Sequence, residues 1–266
     1  MRRMMVLSCV VAMLLTGSVF ADWDPGDDFK MHYPQLPDPQ GWDVNFAESG
    51  FAEPHVLADD WQCIETGWVS DIHFWLSSRQ DMPFDILNVH ASIHSDDVSG
   101  LFSKPGGLLW QADFDPAMFT IRPYGQGPQG WYDPGPLGIV EPSDHMEIYQ
   151  INITDIAEPF LQQEGTVYWL DLSLSGFGPA GPAQVGWKTS IEHFRDDAVW
   201  LNFGVTANHV GLGNSVVLAP GWQPLVDPFT GASLDLAFVI TGEPIPEPAG
   251  LGLIGLSLLA VRKRRR

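Results

Sequence analysis

The sequence predicts an all-β body: two packed antiparallel sheets arranged as a jelly-roll or Ig-like sandwich. Three observations predict it. Between about residue 46 and residue 242 the chain offers short apolar runs separated by Gly, Pro and Asp turns, with 27 Gly and 22 Pro in its 266 residues. No stretch carries the long 3.6-residue periodicity of an amphipathic helix. From Leu87 to Ile93 the alternation is strict, with Leu87, Val89, Ala91 and Ile93 on one face and Asn88, His90 and Ser92 on the other.

The elements follow in chain order. Arg2 and Arg3, an apolar stretch from Met4 to Leu15 and small residues before Asp22 read as a secretory signal helix over residues 1–21. Cys9 is discarded with it. Residues 22–45 are rich in Pro and Asp and read as an extended arm. The sandwich then spans 46–242, with strands expected at 69–76, 87–93, 108–113, 117–122, 145–153, 166–174, 184–189, 198–204 and 234–241. A helical turn or two is expected at 154–163, capped by Thr154 and limited by Pro159. Residues 243–266 form a tail. Its apolar or small run, 249–261, would make a short hydrophobic helix of roughly 20 Å at about 1.5 Å per residue, too short for a hydrocarbon core of about 30 Å. Arg262, Lys263, Arg264, Arg265 and Arg266 close the chain. Such a cluster stays cytoplasmic, so the body belongs on the far side of the membrane.

Charge narrows the function classes. The chain has 33 Asp and Glu against 13 Lys and Arg, a net charge of −20. Seven of the cations sit in the two termini, so the body is more acidic still. That surface repels nucleic acid and anionic lipid. Eleven Trp and 15 Phe supply ample area for a core, which argues against disorder. In the mature body Cys63 stands alone, so no internal disulfide forms and the thiol is expected to be buried and inert.

At the C-terminus Pro246, Glu247 and Pro248, then a Gly/Leu-rich apolar segment, then the Arg cluster resemble the PEP-CTERM sorting signal of exported bacterial proteins. The resemblance implies recognition by an exosortase, a membrane-embedded cysteine protease, after transient membrane insertion. It further implies cutting at the motif and delivery of the body to the cell envelope, cell surface or extracellular polysaccharide matrix. The body is similar to a family of secreted bacterial domains of uncharacterised activity that often carry this tail. The similarity runs through Leu57-Ala58-Asp59-Asp60-Trp61, Asp71-Ile72-His73-Phe74-Trp75, Trp131-Tyr132-Asp133-Pro134, Tyr168-Trp169-Leu170-Asp171 and Asp196-Asp197-Ala198-Val199-Trp200. It transfers no catalytic residue.

Candidate chemistry is sparse. Gly125-Gln126-Gly127-Pro128-Gln129-Gly130 has the spacing of a dinucleotide fingerprint, but its prolines and the absence of a following helix make it a Gly/Pro loop. His90 and His94 on one strand lie about 13 Å apart and cannot share a metal ion. Neither a G-x-S-x-G elbow nor an H-E-x-x-H helix occurs. No catalytic residue and no cofactor are therefore assigned, with one qualification. Asp22, Asp24, Asp27 and Asp28 around Pro25-Gly26, and the Asp59-Asp60 pair, offer hard oxygen ligands suited to a structural calcium ion. Trp131 and Tyr132, placed in the Gly/Pro loop, suit an exposed platform that stacks on sugar rings. The reading is a non-catalytic structural or binding protein of the envelope, against the alternative of a secreted carbohydrate-binding or carbohydrate-active enzyme domain.

Overall fold

The computed structural model describes residues 22–47, 55–135, 138–203, 206–208, 215–217 and 220–242. The signal segment, Pro246-Glu247-Pro248, the 249–261 run and the terminal cations lie outside the described residues. Strands dominate: β1 (Trp42–Asn45), β2 (Leu57–Gln62), β3 (Gly67–Val69), β4 (Asp71–Ser78), β5 (Asp85–Asp97), β6 (Lys104–Phe114), β7 (Phe119–Asp133), β8 (Ile139–Ile153) and β9 (Phe160–Gln162). After them come β10 (Val167–Gly178), β11 (Gly181–Pro182), β12 (Val185–Ser190), β13 (Val199–Asn202), β14 (Thr206–Asn208), β15 (Ser215–Val217), β16 (Gly221–Pro224), β17 (Asp235–Leu236) and β18 (Phe238–Thr241). A 3-10 turn at Arg79–Asp81 is the one helical element among the described residues, and no helix among them is long and apolar enough to cross a membrane.

The all-β expectation holds, and each of the nine expected strands has a counterpart. Closure was not foreseen. One sheet runs β17-β12-β1-β7-β8-β4-β18, and β12 also pairs with β4. Strands β12, β1, β7, β8 and β4 therefore form a closed ring, a barrel feature that an open sandwich layer lacks. A second sheet runs β16-β13-β2-β10-β5-β6. The two share one apolar core: Trp61 of β2 packs edge-on against Phe238 of β18 at 6.3 Å, and Leu170, Leu172, Val89 and Ile93 join Phe74, Ile151 and Trp187 in one cluster.

The ring is polar inside. Ser77 Oγ on β4 donates to Gln129 Oε1 on β7 at 2.9 Å, and His145 Nε2 on β8 bonds Asp43 Oδ2 on β1 at 2.9 Å. Neither pair of strands is adjacent, so these bonds cross the ring, and all four side chains are buried. Gly186 lets β1 and β12 approach: a Cβ there would sit 2.6 Å from the Asp43 carbonyl carbon.

Four expectations need correction. The arm is not separate, because β1 lies between β12 and β7, and Trp23 and Met31 are core residues. The Gly125–Gly130 stretch is strand, not loop: β7 runs through it against β8, and its glycines and prolines appear as register shifts after Pro123, Gln126 and Gln129. The helix at 154–163 is absent. Asp155 takes a left-handed φ of 54° and donates its N–H to Asp71 Oδ1 at 2.8 Å, while residues 160–162 pair with β3. Finally, the 87–93 alternation breaks at its first residue. Asn88 pairs with Ser175 and Ile86 with Gly176, so Leu87 is bulged out, 46% exposed, and Ile86 turns inward in its place.

Candidate functional site

Six chain segments, one of them the start of β8 at Ile139, surround a cavity of about 360 Å³. The end of β1 supplies Asn45 and Ala47; the entry to β2 supplies His55; the β4 end and 3-10 turn supply Ser78, Arg79 and Met82. The end of β7 brings Trp131 and Asp133, and the β10–β11–β12 corner brings Pro179, Ala180, Pro182, Ala183 and Gln184. That corner turns tightly enough to use Gly181 at φ 135°. Apolar walls with a few convergent polar groups are the usual make-up of a small-ligand site.

The polar groups are planar and fixed. Asp133 Oδ2 accepts from Asn45 Nδ2 at 3.1 Å, and Oδ1 accepts from the Gly135 N–H at 2.9 Å with His55 Nε2 at 3.6 Å. Burial works to raise the Asp133 pKa, but His55, the Gly135 N–H and Asn45 outweigh it and hold the carboxyl below the usual range. Asp133 is thus a permanent acceptor. His55 Nδ1 is buried and has no partner. Arg79 grips Glu141 with Nε at 2.7 Å and Nη2 at 2.5 Å, and its Nη1 reaches Gln184 Oε1 at 3.1 Å. The Arg79 hydrogen bond lowers the Glu141 pKa.

The expected sugar platform is corrected. Trp131 is 1% exposed and Tyr132 4%, because the strand that replaced the expected loop alternates them between two packed faces. Trp131 forms a wall of the cavity rather than a surface for stacking. Tyr132 packs against Trp42 with ring centroids 6.2 Å apart, and burial pushes its hydroxyl pKa up.

The candidate calcium ligands fall into two unrelated places. Asp24 and Asp27 close a turn, with the Asp24 N–H donating to Asp27 Oδ2 at 2.9 Å; Asp24 Oδ1 accepts from Arg122 Nη2 at 2.6 Å, and Asp22 Oδ2 lies 3.7 Å from Arg122 Nε. Asp28 is an exposed member of that segment. Asp59 and Asp60 on β2 are fully buried. Asp59 accepts from Gln35 Nε2 at 2.8 Å and from the Leu236 N–H at 2.6 Å, while Asp60 Oδ2 sits 3.4 Å from Arg195 Nη1. Asp235 joins them, accepting the Phe194 N–H at 2.6 Å. Among the described residues no group of three or more His, Cys, Asp or Glu side chains is placed to hold a metal ion.

His90 and His94 have separate partners, Asp113 and Asp171. Cys63 is buried and unpaired, and burial raises its pKa. Sequence reasoning missed His55, Arg79 and Asp133, which lie on segments far apart in the chain. The one local signal is Asp133 beside Trp131.

Residues 31–241 match the model of a family described as a domain of unknown function, DUF7901. The match begins inside the segment expected to be an arm and ends on β18, so it covers the folded body. No curated protein matches the chain, and no solved structure does. The chain belongs to the DUF7901 family.

Proposed function

We propose that this DUF7901 protein is exported, sorted by an exosortase through its PEP-CTERM-like tail, and displayed in the cell envelope or matrix. There it acts as a non-catalytic binding module for a sugar residue of the extracellular polysaccharide. The closed ring and the second sheet then serve as the two layers of a sandwich-like body that presents the cavity at one corner.

The cavity carries this reading. Its volume suits a sugar ring, its Pro, Ala and Met walls suit the apolar face of one, and Asn45, Asp133, Arg79 and Gln184 supply fixed donors and acceptors for hydroxyls. Two features favour binding over catalysis. Asp133, the carboxyl facing the cavity, is held ionised and so is a poor general acid, and Glu141 is held in a bidentate ion pair by Arg79. The strongly acidic surface suits a neutral glycan rather than a polyanion.

The test is retention on the producer's own purified polysaccharide. Wild-type protein is expected to bind without releasing reducing ends, and Asp133→Asn, checked for an unchanged circular-dichroism spectrum, to bind about tenfold more weakly, a loss of roughly 1.4 kcal/mol. Equal retention of the folded variant would remove the cavity from the proposal. Glycan cleavage by the wild type would move it to the enzyme class.

A further inference from the structure

Lys188 on β12 and Asp43 on β1 face each other across the strand pair, in direct register. Both side chains are completely buried, with Lys188 Nζ 3.0 Å from Asp43 Oδ2. Neither is needed for the cavity. Lys188 Nζ also donates to the Gly41 carbonyl at 3.1 Å. His145 Nε2 bonds the same Asp43 Oδ2 at 2.9 Å, and its Nδ1 lies 3.2 Å from Asp144 Oδ2. Asp43 Oδ1 is buried with no partner.

From this geometry we infer an autocatalytic modification site: Lys188 and Asp43 condense into an intramolecular amide that links β12 to β1. An ammonium and a carboxylate together contain the atoms of one amide and one water. Nζ gives up two of its three protons to Oδ2 in succession, the Nζ–Cγ bond forms, the Cγ–Oδ2 bond breaks, and Oδ2 leaves as water. Oδ1 becomes the amide oxygen. No oxidant, reductant or activated co-reactant enters. His145, in contact with Oδ2, relays protons between nitrogen and oxygen and ends as it began, with Asp144 fixing its ring.

Burial supplies both the driving force and the reactivity. In water the two ions are well solvated and amide formation gains little. In a dry site the pair is poorly solvated, and turning it into a neutral amide removes two buried charges while the water departs to bulk. Burial also lowers the Lys188 pKa against the opposing pull of Asp43, which brings the neutral, nucleophilic amine within reach. Strand pairing holds the reacting groups together and supplies the positioning.

Protein taken from the producer, unfolded and digested with trypsin, decides the matter without any variant. The expected result is a branched peptide joining the Asp43 and Lys188 segments, one water lighter than their sum, with no cleavage after Lys188. Recovery of both segments separately, each with a free side chain, would overturn the inference. Lys188→Met protein is expected to give no branched peptide, and His145→Ala to form the link about a hundredfold more slowly during refolding. Linkage at the wild-type rate in a folded His145→Ala protein would remove the relay role.

Discussion

Replacing Trp187 by alanine is expected to lower the unfolding free energy by about 4 kcal/mol and the melting temperature by roughly 10 °C. Trp187 is fully buried on β12, and its ring lies 6.1 Å from Phe46, 6.2 Å from Phe74 and 6.1 Å from Phe238. Its Nε1 donates to the Ala237 carbonyl at 2.8 Å. Truncation therefore leaves a large cavity among aromatic neighbours that cannot collapse into it, and leaves the Ala237 carbonyl with only the longer hydrogen bond from the Trp75 N–H at 3.4 Å. Trp187→Phe keeps most of the volume and should recover about half of the loss. Phe177, on the exposed part of β10, is the control: its truncation should stay within about 0.5 kcal/mol. Thermal melts of the three variants read the result, and a Trp187→Ala protein as stable as Phe177→Ala would refute the shared core.

Stability should also rise as an alkaline solution is brought toward neutrality. Burial pushes the Asp60 carboxyl up to about 8 despite Arg195, and lifts Asp235 to about 6 despite the Phe194 N–H. Burial and the neighbouring Asp235 raise Asp59 as well. A carboxyl whose folded pKa lies above its unfolded value binds its proton more tightly in the native state. Its contribution is complete below about pH 4 and is lost as pH rises through the folded value. For Asp60 that loss accumulates progressively from about pH 4 to about pH 8 and is complete above it.

His32 and His73 act oppositely. Burial lowers His32 to about 3 and His73 below its ordinary value, so each withdraws stability as pH falls below about 6.5. Below about pH 6.5 the two histidines offset part of the gain from the aspartates, and the step from about pH 8.5 to pH 7, where the histidines contribute nothing, should gain about 1 kcal/mol, or 2–4 °C. Asp60→Asn should flatten that step and raise the melting temperature at the alkaline end. A profile unchanged by Asp60→Asn would contradict the assignment.

Much of this fold was legible because strands announce themselves by alternation and turn residues. It failed where local pattern and pairing disagree. The run from Leu87 to Ile93 looks continuous, yet a bulge opposite Ser175 and Gly176 swaps Leu87 for Ile86, and only the partner strand reveals that. Gly125 to Gly130 reads as a loop by composition, but β8 is long enough to pair along it and absorb the irregular residues as bulges. Closure of the ring depends on β12 meeting β4, and nothing in either strand signals a second partner.

Site residues were harder still. Asp43, His145 and Lys188 come together from three strands, so no spacing rule applies to them. A hint was present in Lys188, one of few cations in the body, set between Trp187 and Thr189 in an otherwise apolar or neutral strand. Trp131 and Tyr132 were noticed for the right neighbourhood but the wrong reason. Trp131 lines the cavity that Asp133 faces while Tyr132 turns to the other face against Trp42, and packing hides both rings. Among the aspartates around Gly26, Asp24 and Asp27 close a turn and Asp24 pairs with Arg122, contacts that composition alone does not reveal.

The proposal rests most heavily on export followed by removal of the tail, and intact mass of the protein recovered from the producer's envelope tests that directly. The account predicts a polypeptide that begins at Asp22 and lacks Arg262 to Arg266, found outside the cytosol. A full-length chain in the cytosol, keeping both Arg2-Arg3 and the terminal cluster, would contradict it.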